Sequence, residues 1–567
     1  LFIILFNAFL GDRWGKVPAK VLCMSVSVGT VLYGFIHSLC IFSDLKLQPT
    51  PYQMNFDWWA SASFKLQWGC LVDNLSCWMM LVVTLVSLLV QVYTHGYMRE
   101  DPGYRRFYSY LSLFTGSMLG LVVSTNLFQM FVFWELVGVC SYFLIGFWWN
   151  KPSAANACLK AFVVNRVGDF GFLVGALFLF LATYGFWHAH LDTGILAFYD
   201  PNGQVDLANS IRWAMTSPGQ SFLNQSTLTF ISILIFLGPM AKSAQAPLHV
   251  WLPDAMEGPT PISALIHAAT MVAAGIYMVA RAFPIWLNWS DPTAATTNSV
   301  GLAVIAWTGG LTAFMAATIA LTQFDIKRAL AWSTVSQLGY MFVGLGTGGF
   351  SAGLFHLTTH AFFKAMLFLC SGSVIHALHG EQDMRYMGGL WSKTKWTSLC
   401  FLIGTLAISG VPFFAGFFSK DEIIGSALNW QGPGGPLIGY LMIFTAGLTA
   451  YYMFRMFFMT FTGTYRGKAH IHEEGKLDPI TWPLVVLAGP SIFAGLIGAG
   501  LPFWNCLSGK EPTYVSPFAS FVHFGHPHPE AINMLGMSAS VLIGLAGIGL
   551  AFIVYYGKGY QADVTLE

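Results

Sequence analysis

Runs of about twenty mainly apolar residues recur along the whole chain, and each but the clipped first is long enough to cross a bilayer as a helix. They fall near 1–10, 19–42, 70–95, 107–125, 127–148, 158–186, 226–252, 260–284, 299–322, 328–347, 352–378, 396–418, 433–462, 482–505 and 533–556. Backbone groups in lipid must be satisfied inside the segment, and the runs lack the two-residue alternation of an outer-membrane barrel. The expected fold is therefore an all-α polytopic membrane protein of about fifteen transmembrane helices. Composition excludes other classes. Only 9% of residues are charged and 55% are hydrophobic, against about a quarter charged in a soluble domain. A net charge of +1 with no long basic stretch argues against nucleic-acid binding. The nine cysteines show no C-x-x-C spacing, so no iron–sulfur or zinc centre, and no redox cofactor, is expected in this chain. The chain enters its first run at Leu1 with no basic segment before it, which reads as a clipped span and not a signal peptide.

Lysine and arginine set the orientation. One set of alternate loops holds Arg13, Lys16, Lys20, Arg99, Arg105, Arg106, Lys151, Lys327, Arg328, Arg385, Lys393, Lys395, Arg466, Lys468, Lys476 and Lys558. The other holds Lys46, Lys65, Arg212, Arg281 and Lys510. The first set is expected on the cytoplasmic side or its equivalent, and the long loops 43–69 and 187–225 outside. The spans of 107–284 and those of 285–463 also match in order, and each block has a lysine after a proline: Lys242 after Pro239 and Lys420 after Pro412. An odd number of spans per block makes the copies opposite in orientation, so two inverted five-helix repeats with broken helices are expected. Residues 1–106 then form an N-terminal group of helices with an external loop, and 464–567 a C-terminal group.

The charges inside these runs are the candidate functional residues, because ionisable groups in a membrane are costly and rare. Glu135 lies within Phe131–Val–Phe–Trp–Glu135–Leu–Val–Gly. A carboxylate there stays neutral or finds a cation, and Lys242 is the expected partner. The lysine's charge then depends on whether the carboxylate is close, which makes it a switch as well as a proton carrier; a purely structural ion pair is the competing reading. The flanking prolines free backbone carbonyls and let water enter. His267 follows one span later. His356, His360 and Lys364 are spaced i, i+4, i+8 and share one helical face, as a proton relay would require. A zinc helix is weaker, since H-E-x-x-H is not complete, and a structural core histidine remains open. Lys420 and Asp421, with Glu422, end the apolar run of the twelfth span and read either as a helix cap or as the outlet of the second block. Arg166 with Asp169, and Asp325 with Lys327 and Arg328, read mainly as helix-end ion pairs. Asp73 and Arg455 have no evident partner. His470, His472, His523, His526 and His528 read as solvated loop histidines.

Several stretches carry a resemblance: FWELVG around Glu135, AKSAQAPLHVWLPDAMEGPTPISALIHAATMVAAGIY, DIKRALAWSTVSQLGYM, HAFFKAMLFLCSGSVIHA and GFFSKDEI. Together they closely resemble the antiporter-like L subunit, or chain 5, of respiratory complex I and its photosynthetic relatives, over nearly the whole chain. The resemblance implies a membrane-arm subunit in which Glu135, Lys242, His267, Lys364 and Lys420 carry protons, with His356, His360 and Asp421 in support. It implies no cofactor in this chain, while NADH or ferredoxin, FMN, iron–sulfur clusters and quinone are handled by other subunits. An M-type sister antiporter-like subunit is the implied neighbour within the lipid bilayer, in a bacterial cytoplasmic membrane or a thylakoid or inner organellar membrane. Family members continue with a lateral amphipathic helix and a sixteenth span; this sequence stops at Glu567, which reads as truncation or as a shortened homologue. The alternatives are the large subunit of a multisubunit cation/proton antiporter, or of a proton-coupled inorganic-carbon uptake system.

Overall fold

A computed structural model of the chain describes residues 16–47, 50–191, 193–200, 203–217, 222–290, 299–468, 470–475, 478–522 and 532–557. The run at 1–10, Arg13, Lys476 and Lys558, Asp192, and the loop histidines His523, His526 and His528 lie outside the described residues. The chain opens with α1 (Lys16–Leu47), a hairpin of β1 (Tyr52–Ala60) and β2 (Lys65–Val72), α2 (Asn74–Tyr97), α3 (Tyr104–Val122), α4 (Leu127–Ile145) and α5 (Pro152–Ala189). There follow α6 (Asp206–Thr216), α7 (Gln225–Lys242), α8 (Thr260–Ala268), α9 (Met271–Arg281), α10 (Val300–Ala320), α11 (Ile326–Gly346) and α12 (Phe350–Ala377). The last part holds α13 (Lys395–Ser409), α14 (Ala415–Asn429), α15 (Leu437–Phe461), α16 (Thr481–Phe493), α17 (Gly495–Leu507), α18 (Pro517–Val522) and α19 (Met534–Tyr555).

Eleven stretches among the described residues are helical, long and apolar enough to cross a bilayer: most of α1, then α2, α4, α5, α7, α8 with α9, α10, α12, α15, α16 running into α17, and α19. Two further expected spans are helices outside that set, α3 with Arg105 and Arg106 and α11 with Lys327 and Arg328. The expected span 396–418 is shared between two 15-residue helices, α13, which is apolar but short, and α14. Outward-facing Phe170 and Leu181 of α5 and Leu542 and Ile553 of α19 are well exposed, as expected of an integral membrane protein whose outer surface meets lipid. By contrast α12 is buried almost throughout, so it runs through the centre of the bundle.

The expectation of an all-α chain needs one correction. The loop 43–69 contains most of an antiparallel hairpin, with Tyr52 opposite Val72 and Ala60 opposite Lys65. Its aromatic content, with Tyr52, Phe56, Trp58, Trp59 and Trp68, suits a pleated strand better than a helix. The hairpin is fastened to the bundle by Asn126, whose Nδ2 donates to the Gln67 carbonyl at 2.8 Å, and by Gln129, which exchanges two bonds with the Gly69 backbone. Helix α2 therefore begins at residue 74, not near 70. Asp73 is its N-cap, in a reciprocal capping box with Ser76.

Asp73 has a partner that sequence spacing could not reveal. Arg281, the last residue of α9, donates Nη1 to Asp73 Oδ2 at 2.5 Å and Nη2 to Asp73 Oδ1 at 2.8 Å. Tyr277, one turn earlier, accepts from Arg281 Nε and Nη2 and donates its own hydroxyl to the Val122 carbonyl. Arg455 is likewise partnered, donating to the Gln323 carbonyl at 2.8 Å and to the Tyr555 hydroxyl at 3.2 Å.

At the opposite end of the bundle, the segment after α15 folds back over α13. Glu474 accepts from Trp396 N at 2.8 Å and from Thr397 Oγ1 at 2.5 Å. A carboxylate brought in from 77 to 78 residues away thus caps the first turn of α13. Glu474→Ala is expected to cost about 1 kcal/mol, the size of a lost N-cap, and a thermal melt of the purified assembly checks it.

Candidate functional site

The first group of buried charges is built by a close approach of two helices. On α5, a Cβ at Gly168 would meet the Ala241 side chain at 2.3 Å, and Cβ atoms at Gly171 and Gly175 would meet Leu237 and Ile235 of α7. The glycine seam lets the two backbones nearly touch, and it sets Asp169 beside Lys242. The ammonium lies 3.3 Å from Asp169 Oδ2, with both side chains almost fully buried. Trp134 of α4 holds the carboxylate from the other side, its Nε1 donating to Asp169 Oδ1 at 2.6 Å. Lys242 Nζ sits 5.8 Å from the Trp134 ring centroid, in a space left by Gly138, where a Cβ would come within 2.5 Å of it.

The expected Glu135–Lys242 pair is therefore corrected. Glu135 pairs with Arg166, and both are partly exposed. Arg166 and Asp169 do not close a helix end; they stand near the middle of a 38-residue helix and face different partners. Two carboxylates and two cations form two ion pairs side by side, and the buried one contains Asp169. Because an exposed pair is worth about 0.2–1 kcal/mol, Glu135→Gln is expected to change proton flux by no more than about five-fold, read as proton uptake in vesicles.

Helix α7 continues through Pro239, which removes one backbone bond, and ends at Lys242. Beyond it, Gln245 N donates to the Met240 carbonyl at 2.7 Å and Trp251 Nε1 to the Ala241 carbonyl at 2.9 Å. The following irregular segment is held by the next helices. Ala246 N donates to Thr312 Oγ1 of α10 at 3.0 Å. Lys327, buried at the start of α11, donates to the Met256 and Gly258 carbonyls at 2.5 and 2.8 Å, and Arg328 lies 3.7 Å from Glu257.

From there basic groups continue along α8 and α12. His267 stands at the end of α8, beside the α8–α9 break at residues 269–270. Its ring stacks on Phe368 at 5.1 Å between centroids, and neither ring nitrogen has a protein partner. Lys364 lies one turn before Phe368, 5.9 Å from its ring, and its ammonium donates to Ser333 Oγ of α11. His360 and His356 follow on the same face of α12, 6.3 Å apart. Both His360 nitrogens are unpartnered, while His356 meets Ser419 Oγ at 2.9 Å through Nδ1 and Gln337 Oε1 at 3.2 Å through Nε2. Buried polar atoms without protein partners in a row of this kind are suited to ordered water.

Lys420 completes the row. The expected twelfth span is two helices, α13 and α14, separated by Gly410 and Phe413 in left-handed conformation. Lys420 is not a surface cap: it is 3% exposed within α14, and its ammonium donates to the Ile408 carbonyl at 2.6 Å. That carbonyl belongs to the unpaired C-terminal turn of α13, where the helix dipole favours a cation. Asp421, one residue on and so about 100° around the helix, turns to α19 and accepts from Ser540 at 2.8 Å. No cluster of three or more His, Cys, Asp or Glu capable of holding a metal occurs among the described residues.

A row of buried basic side chains with unpartnered polar atoms between them is suited to holding and passing protons. Residues 124–449 match the family described as NADH:quinone oxidoreductase/Mrp antiporter, TM, and residues 58–108 match the N-terminus of chain 5 of NADH-ubiquinone oxidoreductase, complex I. The chain belongs to this family. NAD(P)H-quinone oxidoreductase chain 5 of Synechocystis sp. is 47% identical over 91% of this chain and 77% of its own length. The chloroplastic subunit 5 of Zygnema circumcarinatum is 45% identical over 94% of this chain and 77% of its own length. Among solved structures, the Mrp complex from Dietzia sp. aligns with a TM-score of 0.71 at 24% identity, covering 97% of this chain and 56% of that one. The membrane-bound sulfane sulfur reductase, an archaeal respiratory complex, aligns at 0.72 and 23% identity over 96% of this chain and 97% of that one; both likenesses concern the fold. Within this family member, Asp169 is the functional candidate that sequence reasoning missed. Its signal was present, since the small residues Gly168, Gly171 and Gly175 mark the face of α5 that another helix approaches.

Proposed function

We propose that this chain is a proton-translocating membrane subunit of an NAD(P)H:quinone oxidoreductase. Its buried row Asp169–Lys242–His267–Lys364–His360–His356–Lys420 carries protons while electrons move in partner subunits. The observation that carries the reading is Lys364, fully buried at the centre of the bundle with a hydroxyl as its hydrogen-bond partner. A fixed ammonium there is costly, whereas a lysine that gains and loses a proton in turn fits the site. The chain 5 relatives support the assignment to this complex.

In this reading, 107–284 and 285–463 act as two inverted repeats, with breaks after Lys242 and before Lys420 serving as the points where water reaches the row. The full set is about fifteen spans. Residues 1–106 and 464–567 flank the repeats. Glu135, paired with Arg166, tunes the charge beside the Lys242 pair without itself carrying the proton, and Asp421 sits beside Lys420 as an exit group. NADH or ferredoxin, FMN, iron–sulfur clusters and quinone belong to the partner subunits, and an M-type antiporter-like subunit is the neighbour in the membrane.

Deletion and complementation test this. Membranes lacking the chain are expected to lose quinone-linked proton uptake, restored by the wild-type gene. Intact quinone-linked uptake together with loss of cation-driven proton exchange would assign the chain to an antiporter instead.

A further inference from the structure

Helix α11 presents Ser333, Ser336, Gln337 and Tyr340 at i, i+3, i+4 and i+7, a continuous polar stripe in an otherwise packed helix. The stripe lies between the lysines at the two ends of the second half of the row. Ser333 accepts from Lys364, Gln337 Oε1 meets His356, and the Tyr340 ring lies 5.1 Å from Lys420 Nζ. Opposite it on α15 stands Tyr452, 2% exposed, whose hydroxyl faces Thr449, Ser333, Ser336 and Gln337. Neither Tyr452 Oη nor Gln337 Nε2 makes a well-formed hydrogen bond within the protein. Two buried polar atoms from different helices thus lie near one another without a well-formed protein bond. Leaving both unsatisfied would be costly, and water joining them removes the cost.

We infer that Tyr452 is a positioning residue, whose hydroxyl, with Gln337 and Ser333, holds the water that links Lys364 to His356. This rests on the proton-translocation reading and adds to it a water-borne step beside His360 that carries most of the flux between Lys364 and His356. In each passage the Lys364 ammonium gives one proton to the water chain and becomes neutral, and the chain gives one to the neutral His356 ring, whose imidazolium can donate to Ser419 Oγ and Gln337 Oε1. Each water accepts one and gives one up, and the Tyr452 hydroxyl stays intact.

The test uses the assembled complex in membrane vesicles, with proton uptake read by a pH-gradient dye and turnover by quinone reduction. Tyr452→Phe keeps the ring and removes the hydroxyl. Losing the bond that orders the water should slow uptake by about ten-fold and raise its solvent deuterium isotope effect, with assembly unchanged. A merely structural role would leave the isotope effect as in the wild type. Lys364→Ala is measured in parallel. If it stops uptake while Tyr452→Phe changes neither rate nor isotope effect, the inference about Tyr452 is overturned and the translocation reading stands. If Lys364→Ala is also silent, both fall. Should Tyr452→Phe not assemble, Gln337→Leu, on the other helix, carries the same expectation and is judged by the same two readouts.

Discussion

Lys242→Ala is expected to stop proton movement through this subunit, lowering the flux it carries by about a hundred-fold, the scale of a lost proton-transfer group. In coupled membranes quinone reduction should slow with it. The ratio of protons taken up to quinone reduced is the measurement, and a normal ratio would remove Lys242 from the path. Asp169→Asn should act in the same way. Its carboxylate is held by Trp134 at 2.6 Å and meets the ammonium at 3.3 Å, so the pair is built as one unit. The double variant is then expected to be no worse than either single one. Additive losses would mean that the two act separately. A Glu135→Gln variant as damaged as Lys242→Ala would mean that the pairs exchange partners during turnover.

Asp73→Asn should be the most damaging single change away from the row. Arg281 is 3% exposed and Asp73 11% exposed in their side chains, and removing one partner of a buried pair costs about 3–5 kcal/mol because the other charge is left unmatched. The guanidinium would keep an amide oxygen, Tyr277 and the Phe198 ring face, 5.9 Å away, but no carboxylate to match its charge. The expected result is reduced assembly and an early melt of what assembles. The Asp73→Asn, Arg281→Leu double variant should recover part of the loss, since it removes the stranded charge as well. A wild-type melting temperature for Asp73→Asn would show that the end of α9 is held by packing alone.

Hydropathy made the helices legible because lipid demands long apolar segments whatever the tertiary packing. It failed where polar residues face the interior. Helix α11 is almost wholly buried yet rich in Ser, Thr and Gln, so its apolarity understates its place in the bundle. The β1–β2 hairpin is carried by Tyr52, Met54, Phe56 and Trp58 at a period of two, a signal much weaker than the long apolar runs on either side of it. The lysines and histidines of the row were legible as costly charges. Which carboxylate reaches Lys242 was not, because it depends on how closely α5 and α7 approach, and glycine spacing rather than charge decides that. Asp73 and Arg281, 208 residues apart, lie beyond any local pattern.

The segment after Lys242 is tied to α10 and α11 by Thr312 and by both bonds of Lys327. At about 0.5–1.5 kcal/mol each, three such bonds resist displacement with roughly the free energy of a tenfold to thousandfold change in population. A swing of the helix end carrying Lys242 therefore cannot remain private to the first half of the chain. Either it pulls on the helix that carries Ser333 and Gln337, or it must first release Lys327 from its two carbonyls. Strain, as well as charge, is thereby passed from one half of the row to the other.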